Sequence, residues 1–316
     1  MTHPALEQKF LVDSYQLWAK KEHVPLHHSE RLSLKKLSTS PWPRFGMAGA
    51  ICDVTGRCDF LSLFLFCLDP FKTSNPMRHI YDANYYVLEG SGETHITLYS
   101  GQEEIIRWSE GHAFTIPANA DYHLASTTHS SVRLICVSDM RYLMGLYRNE
   151  DFIFANPAPL SARQNQAVSR GLLHHLLTSD SDILLGDSAI AFERITIPAR
   201  SRTAAHRQMQ GQHILALSGH PLIISFYEGA TDYKQTHLDP YDLTGLKGMM
   251  FHQIANPSDQ EINVLAMSLG SQSAPIFRAR RYAYGDHSVY ASGESILNDI
   301  YEPASLKNLW HSILAP

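Results

Sequence analysis

Hydrophobic residues recur first at helical and then at strand spacing. Near residues 5–20, Leu6, Phe10, Leu11, Tyr15, Leu17 and Trp18 fall on one side of a 3.6-residue turn, which predicts an amphipathic helix. The texture then changes. Short runs rich in Val, Ile, Tyr, Phe and Thr, such as DFLSLFLFCL, ANYYVLEGSGETHITLY and VRLICVSD, alternate with Gly, Pro, Asn and Asp turns. Many short strands at regular spacing predict a β-sandwich or barrel. The stretch NEDFIFANPAPLSARQNQ reads as a connector, and GLLHHLLTSDSDILLG as a mixed turn or short helix. Strand texture returns in IAFERITIPARS, QHILALSGHPLIISFYE, MMFHQIANPSD and INVLAMSLG. The tail near 294–315 reads as helical around Pro303.

The second strand block repeats the first. In each, an apolar strand ends at a glycine (Gly90, Gly219), a second strand follows, and a third closes on an aromatic–His pair, Tyr122–His123 or Phe251–His252. A repeat of this length predicts two copies of one fold, with domains at 1–150 and 151–316. The length of 316 residues agrees with two domains.

Composition narrows the classes. At 44% hydrophobic and 18% charged residues, sizeable cores can form, and a formal net charge of −5 offers no basic field for nucleic acid or an anionic membrane. The four cysteines, Cys52, Cys58, Cys67 and Cys136, contain no C-x-x-C pair and fit a reducing compartment. The N-terminus lacks an apolar signal core, and no apolar run is long enough to span a bilayer. The expectation is a cytoplasmic protein.

Several histidines stand where chemistry is expected. AAHRQMQGQHILALSG and FHQIAN in the second half, and NPMRHIYDANYYVLEG and GHAFTIPANADYHLAS in the first, resemble the two motifs of the cupin family. The first of these motifs is His-x-His, then an acid and a strand ending in Gly. The second is Gly and Pro before a His. The resemblance implies an all-β fold of two tandem cupin barrels (double-stranded β-helix, or jelly roll), flanked by an N-terminal and a C-terminal helix. It also implies that the motif side chains converge on one metal. In the C-terminal barrel those are His206, Gln208 at the second His position, His213 about where the acid stands, and His252. Imidazoles of this kind suit Fe(2+), and Mn, Ni, Zn or Cu as other divalent candidates. In the N-terminal barrel they are His79, Asp82 and His123, which make a poorer metal site and imply a vestigial one.

SPWPRFG, NPMRH, YYVLEGSGE, YRNEDFIFANP, AHRQMQGQH and the YEP of the tail further resemble two-cupin proteins allied to gentisate 1,2-dioxygenase. That resemblance implies a mononuclear iron oxygenase that takes a small aromatic or carbon-acid substrate and O2, and a homodimer or homotetramer. Aromatic residues and Met209 or Met250 near the motifs would supply an apolar wall. Gln208 and the absent proline before His252 depart from the pattern. They motivate a second expectation, a metal-free cupin that binds a small molecule or catalyses isomerisation, cyclisation or dehydration through histidine acid–base chemistry.

Other features carry blander readings. Gly90-Ser91-Gly92 lacks a following helix and Lys and reads as a strand turn. His174 and His175 are adjacent and share no face. His220 and His237 read as solvated, Arg278, Arg280 and Arg281 as a solvated or interface strand, and Cys136 as a core residue. No nucleophile-elbow motif is present.

Overall fold

The structure, a computed structural model, describes residues 13–54, 60–98, 100–147, 149–155, 175–176, 182–184, 190–203, 205, 207, 211–269, 289–291 and 301–314. Helix α1 (Ser14–Lys21) opens the described chain, capped by the Asp13 carboxylate, which accepts from the amides of Tyr15 and Gln16. The strands of the first half are β1 (Leu26–Ser29), β2 (Arg31–Ser33), β3 (Ser40–Trp42), β4 (Met47–Val54), β5 (Ser62–Leu68), β6 (Ala83–Glu89), β7 (Ser91–Thr97), β8 (Glu103–Ser109), β9 (His112–Ile116), β10 (Asp121–Ser126) and β11 (Val132–Ser138). Helices α2 (Met140–Tyr147) and α3 (Glu150–Ala155) follow. The second half contains β12 (His175–Leu176), β13 (Asp182–Leu184), β14 (Ile190–Ile197), β15 (Ser201–Thr203), β16 (Gln212–Ser218), β17 (Leu222–Phe226), β18 (Lys234–His237), β19 (Asp242–Leu246), β20 (Phe251–Asn256), β21 (Ile262–Leu269) and β22 (Val289–Ala291), before helix α4 (Ala304–Leu314).

The chain divides into two compact units. The first holds the described residues within Met1–His27, Ser38–Cys52 and Phe60–Leu176, and the second those within His28–Leu37, Asp53–Asp59 and Leu177–Pro316. The first unit is built on the sheet path β5-β11-β6-β9-β12 facing the three-stranded sheet β10-β7-β8. Between them lie Ala83, Tyr85 and Val87 of β6, Phe114 and Ile116 of β9, and Tyr122 and Leu124 of β10. The second unit pairs the sheet β13-β14-β21-β16-β19-β2 with the sheet β18-β17-β20-β15-β22. Its inner core includes Ile214, Ala216, Ile223, Leu246, Ile254 and Val264. A separate cluster on the outer side of β17 and β20 packs Phe226, Phe251 and Ala255 against Leu306, Trp310 and Leu314 of α4. Pro303 precedes that helix, where a fixed φ suits a helix start.

Two facing antiparallel sheets per unit, in two units, make the fold all-β with two tandem cupin barrels, as expected. Details differ. Residues 150–155 of the presumed connector form α3, and residues 175–176 and 182–184 of the presumed turn or helix are strands that pair with β9 and β14. Residues 1–12 of the predicted first helix and Arg278, Arg280 and Arg281 lie outside the described residues. Cys136 is buried in the first core, as read.

Candidate metal and ligand site in the C-terminal barrel

The side of a strand on which a residue falls decides whether it meets the barrel interior. In β20, His252 and Ile254 share a side, and Ile254 belongs to the inner core. Phe251 and Ala255 face the other way, onto α4. His252 is fully buried, and its Nδ1 lies 3.3 Å from the carbonyl of Met250, the acceptor of that N–H. This tautomer leaves the lone pair on Nε2. Across the sheet His252 pairs with Ser225 of β17, which in turn pairs with Lys234 of β18.

β16 contributes a second inner group. Its inward residues are Ile214 and Ala216, so Gln212 lies on the same side, directly opposite the inner Leu246. Gln212 is buried, and its Oε1 makes no hydrogen bond to a described residue. His213 points the other way, beside Leu215 and across from Gly245 and Met267. A step of one residue along a strand changes faces, so His213 lies on the side opposite Ile214 and Ala216, and the inner position of β16 is Gln212. A signal for it existed. Ala83 lies seven positions before Gly90, and Gln212 seven before Gly219. His206 and Gln208 lie outside the described residues, although the neighbouring Ala205 is buried and packs in the outer cluster.

The outer face of β20 is held by a buried charge cluster. The Glu302 carboxylate stands 3.2 Å from the Arg202 guanidinium, with side chains 4% and 5% exposed. The same carboxylate accepts from Gln253 Nε2 at 2.7 Å and from Trp310 Nε1 at 3.2 Å. Tyr301 stacks on Phe251 with ring centroids 5.1 Å apart. The residues on both sides of His252 are thus gripped by the segment leading into α4.

A cavity of about 460 Å³ lies at Ser225, the cross-strand partner of His252, and is lined also by Leu246, Met250, the lysines Lys234 and Lys247 and the acids Glu30 and Asp232. Glu30 stands at its rim, 2.5 Å from Lys234 Nζ, and the hydrogen bond from Lys234 holds its carboxyl below the ordinary value. Met250 lines the cavity, while Met209 lies outside the described residues.

The N-terminal barrel is arranged otherwise. His79 is fully buried, stacked on Tyr81 at 3.7 Å, with its Nδ1–H donating to the Tyr81 carbonyl and its Nε2 accepting from Tyr122 Oη at 2.9 Å. The Tyr85 hydroxyl lies 2.9 Å from that of Tyr122, and Cys136 sits beside Tyr85. Burial pushes His79 down to about 3, pushes the Cys136 thiol up to about 12, and raises all three tyrosines, so every member of this chain is neutral at pH 7. His123 is on the outer side of β10, stacked on His95 at 4.7 Å, where desolvation and the neighbouring imidazole lower it. Asp82 is partly buried and its amide donates to Asp139, whose carboxyl is raised by burial and by Asp82. His79, Asp82 and His123 are not brought together, because Tyr122 and not His123 faces inward. The aromatic–His pairs open β10 and β20 and are out of phase by one residue.

Among the described residues no three His, Cys, Asp or Glu side chains stand together as a metal cluster, and no helix is long and apolar enough to cross a membrane. His220 is exposed beside Asp239, and His237 is an exposed residue of β18.

The fold and its inner polar row define a two-cupin architecture. No family model and no curated protein sequence matches the chain. Among solved structures, it is similar to variants of Bacillus subtilis oxalate decarboxylase. One matches with a TM-score of 0.56 at 13% identity over 81% of this chain and 79% of that one. A deletion variant gives 0.53 at 12% over 76% and 77%. A structure described for its Mn(II) centers gives 0.55 at 13% over 81% and 79%.

Proposed function

We propose that the chain is a divalent-metal cupin enzyme whose C-terminal barrel acts on a small carboxylic acid. The observations that carry this are two inward polar groups, His252 of β20 and Gln212 of β16, and a cavity at Ser225, the cross-strand partner of His252, lined by two lysines and two carboxylates. His252 would hold the ion through Nε2 and Gln212 through its unpaired Oε1. His206 and Gln208 stand at the positions that the motif assigns to ligands. A donor set of imidazoles and carboxamide oxygens fits Fe(2+) or Mn(2+) and leaves the ion's full double charge for an anionic ligand. When bound, such an ion polarises a carboxylate and, as iron, can also bring in O2. The chain's part is to orient. Met250 fixes the His252 tautomer, the Arg202–Glu302 cluster fixes its strand, and Leu246 and Met250 narrow water access.

The finer reading, from the resemblance to gentisate dioxygenases, is an iron oxygenase taking a small aromatic or carbon-acid substrate and O2. The similarity to Mn-containing oxalate decarboxylase supports a decarboxylation as the competing reaction. Metal content of tag-free protein after anaerobic loading with Fe(2+) or Mn(2+), beside His252→Ala, tests the site. Near-stoichiometric uptake lost in the variant supports it, and none in either sinks it. Oxygen consumption with gentisate against CO2 release from oxalate separates the reactions.

Gln208 in place of a motif histidine, and the absent proline before His252, favour a second reading, a metal-free cupin in which His252 exchanges protons. It requires full activity or ligand binding after chelator treatment. The resemblance further suggests a homodimer or homotetramer, which light scattering of the purified protein checks.

A further inference from the structure

Lys234 and His252 lie in one row. Lys234 pairs with Ser225, and Ser225 with His252, across three neighbouring strands. Directly opposed residues on one face are about 5 Å apart at Cβ, so Lys234 Cβ is on the order of 10 Å from that of His252. The cavity of about 460 Å³ lies in front of Ser225 and Lys234.

In this structure the Lys234 ammonium is already taken. Glu30 Oε2 lies 2.5 Å from Nζ, and Glu30 does not come from the barrel's own strands but from the short segment ahead of β2. It is held there firmly: Thr244 Oγ1 donates to the Glu30 carbonyl at 2.9 Å, and Arg31 pairs with Thr244 and donates to the His237 carbonyl at 2.7 Å. The pair itself is open to water, with side chains 53% and 66% exposed, and such pairs add little to folding. Its position at the rim is the informative property.

We infer that Lys234 reads the carboxylate of a ligand in this cavity and that Glu30 is a built-in competitor for it, a tethered carboxylate that an incoming anion must displace. This rests on the reading of the C-terminal barrel as the ligand site. Its signature is a pair of opposite effects from the two partners of one ion pair. Removing the lysine weakens anion binding. Neutralising the glutamate strengthens it, because the ligand no longer exchanges for an existing partner.

The experiment is calorimetric titration of the tag-free full chain, metal-free and Mn(2+)-loaded, with oxalate, malonate and gentisate, and with uncharged oxamide as control. Lys234→Met should weaken carboxylate binding about tenfold or more, and Glu30→Gln should tighten it about threefold, with oxamide indifferent to both. Lys234→Arg, which keeps the charge, should bind the carboxylates within about threefold of the parent and guards against a misfolded Met variant. Equal affinities in the parent and both variants, the same sign from both variants, or no carboxylate binding by the parent would overturn the inference. Lys234-dependent binding without metal uptake would remove the metal reading and leave this one standing. Normal uptake with indifference to Lys234 and Glu30 would do the reverse.

Discussion

Each barrel carries a left-handed residue three positions before the inward residue of its last motif. In the first it is Asn119 (φ 70°), followed by Tyr122. In the second it is Met249 (φ 63°), followed by His252. The backbone solution is the same and the side chain differs. Tyr122 places a hydroxyl where His252 places a ring nitrogen, and the space around it is closed by Tyr85, His79 and Tyr81 through hydrogen bonds and stacking. Around His252 stand Ser225, across the sheet, and the Met250 carbonyl. The inward group of the first barrel is thus tied into its own core by side-chain hydrogen bonds, whereas that of the second is tied to the main chain and a cavity opens at its cross-strand partner Ser225.

The strongest way to break this contrast is to remove the inward histidine. His252→Ala should lower metal uptake of the loaded protein by about a hundredfold or more if the imidazole is a ligand, while Tyr122→Phe should leave uptake unchanged, both measured by metal analysis. The next effect concerns support. Glu302→Ala leaves Arg202 buried without its partner and should cost about 3–5 kcal/mol in denaturant unfolding, with the loss in the second unit. Tyr122→Phe removes the donor to His79 and the acceptor of Tyr85, and should cost about 1–3 kcal/mol in the first unit.

A further expected effect is a pH slope. His79 titrates at about 3 in the folded chain against an ordinary 6.5. Between those values the unfolded chain binds the proton and the folded one does not. Its neutrality therefore favours folding fully above 6.5, and that advantage is lost as pH falls towards 3. Asp139, raised by burial, acts in the opposite direction over part of this window. The comparison must be made against His79→Gln, whose melting temperature should fall less steeply below pH 6.5 than the parent's.

Much of the fold was legible because strand texture and the two glycine-ended repeats survive in the sequence. Which side of a strand faced inward was less so. β20 is buried at all six positions, and β16 at its first five. With no polar side to mark the phase, His213 was read into a place that Gln212 holds. β10 did carry the mark. Its burial alternates, with Tyr122 and Leu124 inside and Asp121 and His123 outward, so the Tyr–Leu spacing could have assigned His123 to the outer face. Lys234 left no sequence signal. Only the register of β18 on β17 shows that it shares a row with His252.

Strand β2 has a consequence for how the molecule is made. It is synthesised more than a hundred residues before β19, yet it supplies the edge of that sheet through Arg31, Leu32 and Ser33. Those early residues must wait, unpaired, while the rest of the chain leaves the ribosome, and closing so long a loop slows folding. A fragment starting near residue 177 would emerge with the outer hydrogen-bonding groups of β19 bare, a template for aggregation, and without Glu30. Dividing this gene at its midpoint would not separate its two barrels.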